Sequence, residues 1–249
     1  MGFPTAPAFG TLRLANLRDV PKIATVATAG FYYSPVFAWE RRFSRDFPQD
    51  TFQSYEKMFA DVILSPEHVA LVVEDSYDPF EAEKTEAIIQ PDREVPKLRQ
   101  GDPVIVAVAA WKLKPGSPRQ GQFIAPEDGS SPKHDFDGGP GRDKSPHHAD
   151  MLDKKFFQGH QLMDMVVVHP AYWKRGHGTS LVEWGKALAD MDRVGQGVIA
   201  ADMGEKLYTS LGYRKLDDVT AEEKDGAPPH EVQVGVLRYC GRVAGKSEL

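Results

Sequence analysis

The chain runs from the apolar segment Val166-Val167-Val168 through His169-Pro170-Ala171-Tyr172-Trp173 into the basic, glycine-punctuated Lys174-Arg175-Gly176-His177-Gly178, and on through Thr179-Ser180-Leu181. This reads as a strand, a tight turn and the start of a helix. Backbone N–H groups in the first turn of a helix have no intrahelical acceptor, carry partial positive charge and attract an anion. Gly176 and Gly178 lack the Cβ that would hold a diphosphate away from the backbone. The segment is therefore a candidate phosphate cradle made by Lys174, Arg175, Gly176, His177, Gly178, Thr179 and Ser180, fed by the strand residues Val166, Val167 and Val168.

The spacing disfavours two familiar phosphate ligands. A nucleoside-triphosphate loop places Lys-Ser/Thr directly after its last glycine, whereas Lys174 precedes both glycines here. A dinucleotide fingerprint requires a third small residue where Leu181 stands. The pattern instead resembles the pyrophosphate loop of the GNAT superfamily of acyl-CoA-dependent acetyltransferases: Gln/Arg, two residues, Gly, one residue, Gly/Ala. Trp173 departs from it at the Gln/Arg position. Downstream, Ile199-Ala200-Ala201-Asp202-Met203-Gly204-Glu205-Lys206-Leu207-Tyr208-Thr209-Ser210-Leu211-Gly212-Tyr213 is similar to the family's next unit, a strand, a short helix with Leu-Tyr, then Leu-Gly-aromatic. The resemblance is specific over residues 162–213 and diffuse over the first half of the chain.

It implies an α/β (α+β) fold: a mixed, mostly antiparallel central sheet flanked by helices, with a splayed parallel strand pair admitting the pantetheine arm of acetyl-CoA. It further implies that backbone groups of Val166 and Val168 meet that arm. The amides from Arg175 to Thr179 then hold the diphosphate, with Arg175 adding a charge-assisted contact. Tyr208, at the Leu-Tyr position, becomes a candidate acid for the departing thiolate.

Other residues carry chemistry of their own. By strand alternation Asp164 shares a face with Leu162, Val166 and Val168, opposite Met163, Met165 and Val167, and is the candidate base for the acceptor amine. His160 and Asp202 are weaker candidates. Tyr32, Phe37 and Trp39 lie in an aromatic stretch with Arg41, Arg42 and Arg45 that suits an acceptor pocket, in which an arginine would hold an acceptor carboxylate. Each has a plainer reading: a glycine turn opening a helix, a packed Tyr208, an Asp164 bonded to a nearby N–H, aromatics filling a core. The histidines His134, His147 and His148 lack the spacing of a metal site, and no metal is expected.

Length bounds the organisation. At 249 residues a single domain, 1–249, is expected, with a Pro-, Gly- and charge-rich loop insertion over 114–149 and a short helix near 149–158. The periodicity predicts a strand at Thr11–Ala15, a helix capped by Asp19 and ending near Gly30, a helix from Thr51 to Leu64, and strands at Val69–Val73, Val104–Trp111, Leu162–Val168 and Val232–Tyr239. The helix after the cradle should bury Leu181, Trp184, Gly185 and Leu188.

A net charge of −6 argues against nucleic-acid or anionic-membrane partners. The single Cys240 precludes an internal disulfide and suits a reducing, cytoplasmic setting. No apolar run spans a bilayer, and a monomer or homodimer is expected. The functional expectation is an N-acetyltransferase moving acetyl from acetyl-CoA to a small-molecule amine by direct attack. Protein N-terminal or lysine acetylation, or a non-catalytic acyl-CoA sensor, remain as alternatives.

Overall fold

A computed structural model describes residues 5–91, 97–125, 136–145, 160–221 and 231–241. The short helix expected near 149–158 and the histidines His134, His147 and His148 lie outside them. Twelve principal elements follow in the order β1 (Leu12–Leu14), α1 (Val20–Phe31), α2 (Pro35–Glu40), α3 (Pro48–Leu64), β2 (His68–Ser76), β3 (Pro103–Lys112), β4 (Gln161–Val168), α4 (His177–Asp192), β5 (Gln196–Ala200), α5 (Asp202–Ser210), β6 (Arg214–Ala221) and β7 (Val232–Tyr239). The strands form one sheet in the order β1-β2-β3-β4-β5-β7-β6, antiparallel throughout except for the parallel pair β4·β5.

Both faces of the sheet centre are covered. On one, Leu181, Val182, Trp184 and Leu188 of α4 pack against Leu71, Val106, Trp111 and Met163, with Tyr208 of α5 in the same cluster. On the other, Ile23 and Ala27 of α1 and Phe52, Tyr55 and Phe59 of α3 cover Ala70, Val72, Val108 and Val167. Double coverage explains why β3 is buried from Val104 to Trp111 and reads as an unbroken apolar run. Two helices approach the sheet closely through a glycine: a Cβ on Gly30 would sit 2.4 Å from Val167 Cγ2, and one on Gly185 would sit 2.3 Å from Trp111 Nε1.

Several local expectations need correction. Asp19 does not cap α1 with its side chain. Its carboxylate accepts from Asn16 N–H at 2.9 Å and pairs with Arg13, closing a capping box on the preceding 3-10 turn, Leu17–Asp19. Neither α2 nor β6 was expected. The first is a six-residue helix started by Ser34, whose hydroxyl accepts from Val36 N–H. The second is an edge strand whose Arg214-Lys215-Leu216-Asp217-Asp218 lacks apolar alternation, because an edge facing water is served by charge.

The stretch between β3 and β4 is anchored at both described ends. Arg119, with no side-chain exposure, pairs with Asp192 at 2.6 Å at the end of α4. Arg142 and Asp143 reach α3, Arg142 to Asp50 at 2.7 Å and Asp143 to Thr51 at 2.9 Å.

Candidate active site

The parallel pair holds together for only three residues: Gln161, Leu162 and Met163 lie opposite Gln196, Gly197 and Val198. Beyond them β4 continues to Val168 with β3 on one side and no strand on the other. His169 N–H donates to Val106 O at 2.9 Å, and Val168 lies opposite Ala107. Antiparallel alternation then turns Val167 and Met165 toward β3, leaving the backbone polar groups of Val166 and Val168 facing the gap. This splay opens a cleft of about 1420 Å³, lined from one sheet face by α1, α2 and α3 and from the other by α4 and α5.

The cradle stands at the mouth of the gap. Lys174 and Gly176 both adopt left-handed backbone conformations, with φ 62° and 88°; a residue other than glycine there stores strain that a functional turn can use. α4 begins at Gly176 without a side-chain cap and without an acidic residue in its first turn. No hydrogen bond to the described residues engages the amides of Lys174, Arg175, Gly176, His177, Gly178 and Thr179. Ser180 is the exception among the expected cradle residues: its N–H donates to Gly176 O at 3.0 Å and its hydroxyl to the same oxygen at 3.2 Å. It is already spent inside the helix.

Side chains divide differently from the sequence expectation. Lys174 lines the cleft and has no partner among the described residues. Arg175 and His177 face away, both tied to Asp75 of β2, at 2.9 and 3.0 Å, with Arg175 also stacked 4.9 Å from the Tyr172 ring centroid. Burial pushes the Asp75 carboxyl up, but the Ser76 N–H, Arg175 and His177 outweigh it and hold the group below its ordinary value. The Arg175 side chain, expected at a diphosphate, here forms with His177 and Asp75 a latch between β2 and the start of α4.

Trp173, at the motif's departure, donates its indole N–H to Val168 O at 2.8 Å and meets Tyr33 edge-on at 5.3 Å. One backbone acceptor expected for the pantetheine arm is thus already used.

Asp164 lies where alternation fails. Met165 sits opposite Ala110 and Met163 opposite Trp111, so Asp164 is the extra residue of a β-bulge. Met163 consequently joins Val166 and Val168 on the α4 face, and Met165 stays with Val167 on the α1–α3 face. Asp164 turns toward His68, with Oδ2 3.4 Å from Nε2. His68 has the strand parity of Ala70 and Val72, which places the pair on the α1–α3 face and not, as expected, on the face of Val166 and Val168. Ser65 Oγ lies 2.7 Å from His68 Nδ1.

Tyr208 lines the cleft from the other side, its ring 5 % exposed and its hydroxyl without a hydrogen bond to the described residues. Burial pushes its phenol well above the ordinary value, so it holds its proton. Of the weaker candidates, Asp202 lines the cleft and His160 does not.

Of the three aromatics expected at the acceptor, Tyr32, Phe37 and Trp39, Phe37 lines the cleft and the other two do not; of the three arginines, Arg41 does. Tyr32 packs beside Tyr33 and Phe37 with its hydroxyl bonded to Arg45, and Trp39 is buried against Val232 and Val234. Their places are taken by Tyr33 and Tyr55. A helical turn displaces neighbours in sequence to different faces, which a run of aromatics does not reveal. His68 also escaped notice, since only the pairing of distant strands brings it to Asp164.

No family model matches the chain. It is 30 % identical over 244 residues to a protein described as an acetyltransferase from Stachybotrys chartarum, covering 95 % of this chain and 94 % of that one. Among solved structures it is similar to a histone acetyltransferase HPA2 and related acetyltransferase from Corynebacterium glutamicum, with TM-score 0.51 and 17 % identity over 92 % of this chain and 94 % of that one. It is also similar to the ribosomal-protein-S18-alanine N-acetyltransferase of Escherichia coli, with TM-score 0.48 and 11 % identity over 96 % and 98 % of the two chains.

Proposed function

Since the chain belongs to the GNAT acetyltransferases, we propose that it transfers acetyl from acetyl-CoA directly to the nitrogen of a small-molecule amine, with no acyl-enzyme intermediate. The observation that carries this reading is the run of unengaged amides from Lys174 to Thr179 at the mouth of the β4·β5 gap. These donors, the free Lys174 ammonium and the gap-facing backbone of Val166 suit the diphosphate and pantetheine of CoA. Gly178 supports the fit, since a Cβ there would meet only ordinary contacts with Leu207 and Val168, at 3.5 and 3.6 Å, and the protein's own packing does not demand glycine.

When bound, acetyl-CoA supplies the activated acyl group. The chain's own groups are then arranged by sheet face. Tyr208, on the α5 side, keeps its proton and donates it to the leaving sulfur. Asp164, on the α1–α3 side, draws the ammonium of the acceptor and takes its proton, with His68 holding the carboxylate in place. Acid and base on opposite sides of one opening suit an amine and a thioester that enter from opposite faces.

Among the described residues no helix is long and apolar enough to cross a membrane. The single cysteine, Cys240, supports the cytoplasmic setting we propose. The experiment is a calorimetric titration with CoA followed by thiol release from acetyl-CoA across an amine panel. Amine-dependent release supports transfer; tight CoA binding without it would identify a sensor instead.

A further inference from the structure

Resting on the acetyltransferase reading, we propose that the acceptor is a primary amine on an aromatic or similarly apolar body and that it carries no carboxylate. The α1–α3 half of the cleft presents Tyr33, Phe37, Tyr55 and Met58 as its wall. Among the described residues its buried cation is matched. Arg41, 3 % exposed, pairs through Nη1 with Asp143, donates through Nη2 to Ser54 Oγ at 3.0 Å, and lies 4.3 Å from the Tyr55 ring centroid. Asp143 is itself fully buried, so the guanidinium charge is neutralised inside the wall.

At the rim Lys57 pairs with Asp61 at 2.9 Å and Lys144 approaches Glu40 at 3.8 Å. Lys174 belongs to the cradle. Two anions without a cationic partner among the described residues face this half: Asp137 at the exposed rim, which accepts from Gly139 N–H at 2.9 Å, and Asp164, whose neighbour is an imidazole at 3.4 Å and whose Oδ1 has no partner among the described residues. An ammonium entering here meets a carboxylate and aromatic faces, both of which attract it. A carboxylate on the same molecule would be desolvated against apolar side chains with no unpaired cation buried among them to receive it. The sequence expectation of an arginine that binds an acceptor carboxylate is therefore reversed: that arginine is consumed by Asp143.

Matched pairs test this on the unmodified protein: 2-phenylethylamine against phenylalanine and tryptamine against tryptophan, with a peptide bearing a free N-terminus alongside and acetyl-CoA saturating. The expected result is a kcat/KM at least ~100-fold higher for the decarboxylated member of each pair. Ratios near one, inverted ratios, or a peptide exceeding both amines overturn the assignment while acetyl transfer stands. Absence of transfer to every amine overturns it too. A CoA titration run in parallel then tells the two failures apart, because loss of CoA binding strikes the cradle, and retained binding confines the failure to the acceptor half. In Asp143→Asn, which keeps hydrogen-bonding atoms but frees the Arg41 charge, the ratio narrows by about tenfold; an unchanged ratio would show that the paired arginine does not exclude carboxylates.

Discussion

At the scale of single residues, Tyr208 and His169 make separable predictions. The Tyr208 ring is buried and its hydroxyl bonds to nothing in the described protein, so Tyr208→Phe should leave the fold intact. Turnover should drop by about 100-fold or more, in the range of lost general-acid assistance, with CoA affinity unchanged. Equal losses of turnover and affinity would assign the phenol to binding. His169 is 1 % exposed; its Nδ1 accepts from Ala171 N–H at 3.2 Å and its Nε2 has no partner among the described residues. Burial lowers its pKa to about 4 despite the opposing charges of Glu81 and Asp78, with Lys22 acting in the same direction as burial. The unfolded chain, titrating near 6.5, then binds the proton first as pH falls. Stability should decline between about pH 6.5 and 4, by up to ~3 kcal/mol, and level off below. Denaturant midpoints measured across that window should fall in the native chain and flatten in His169→Gln; parallel curves would show that another group titrates.

At the scale of elements, two glycines with opposite surroundings separate packing from binding. A Cβ on Gly30 meets Val167 Cγ2 at 2.4 Å and Val168 O at 2.7 Å, so Gly30→Ala must push α1 off β4. We expect a loss of ~1–3 kcal/mol in urea unfolding. At Gly178 the nearest atoms to a Cβ are 3.5 and 3.6 Å away, an ordinary contact. Gly178→Ala fits the family pattern and should keep both its melting temperature and its CoA affinity, whereas the larger side chain of Gly178→Leu should lower CoA affinity about tenfold or more by occupying space the diphosphate needs. An unaltered dissociation constant in Gly178→Leu would contradict the cradle.

The elements also show why parts of the site were legible and others were not. The strand, turn and helix from Val166 to Leu181 are contiguous, so their signal is local, and the structure reproduces it. Alternation along β4 failed at Asp164 because a bulge is a property of two strands, set by how Trp111 and Ala110 pair with Met163 and Met165. The place of the Arg175 side chain was not legible for a related reason: the carboxylate that pairs with it, Asp75, lies 100 positions upstream.

At the scale of the molecule, the sheet is a frame held at its centre and opened at one seam. The segment after β3 contributes to the frame by pinning α4. Its Arg119 and Asp192 are almost wholly buried as a pair, and removing one partner leaves an uncompensated charge. Asp192→Ala should therefore cost ~3–5 kcal/mol of unfolding free energy. Because the pair lies at the far end of α4 from the cradle, CoA affinity measured below the unfolding transition should not change; a weakened affinity would mean that the helix start depends on its distal anchor. The mixed sheet and its splayed parallel pair were legible from the family resemblance, since two motifs in order carry the topology between them. The lining of the cleft where we propose the acceptor enters was not, because it is assembled from α1, α2 and α3 by packing alone.

The central claim is that the amides from Lys174 to Thr179 grip the diphosphate of CoA. Amide-resolved hydrogen exchange with and without CoA tests it most directly. The account predicts marked slowing at Lys174–Thr179 and little change at Ser180, whose N–H is already bonded to Gly176 O. Exchange at those amides as fast with CoA as without it, under conditions where CoA is bound, would contradict the account.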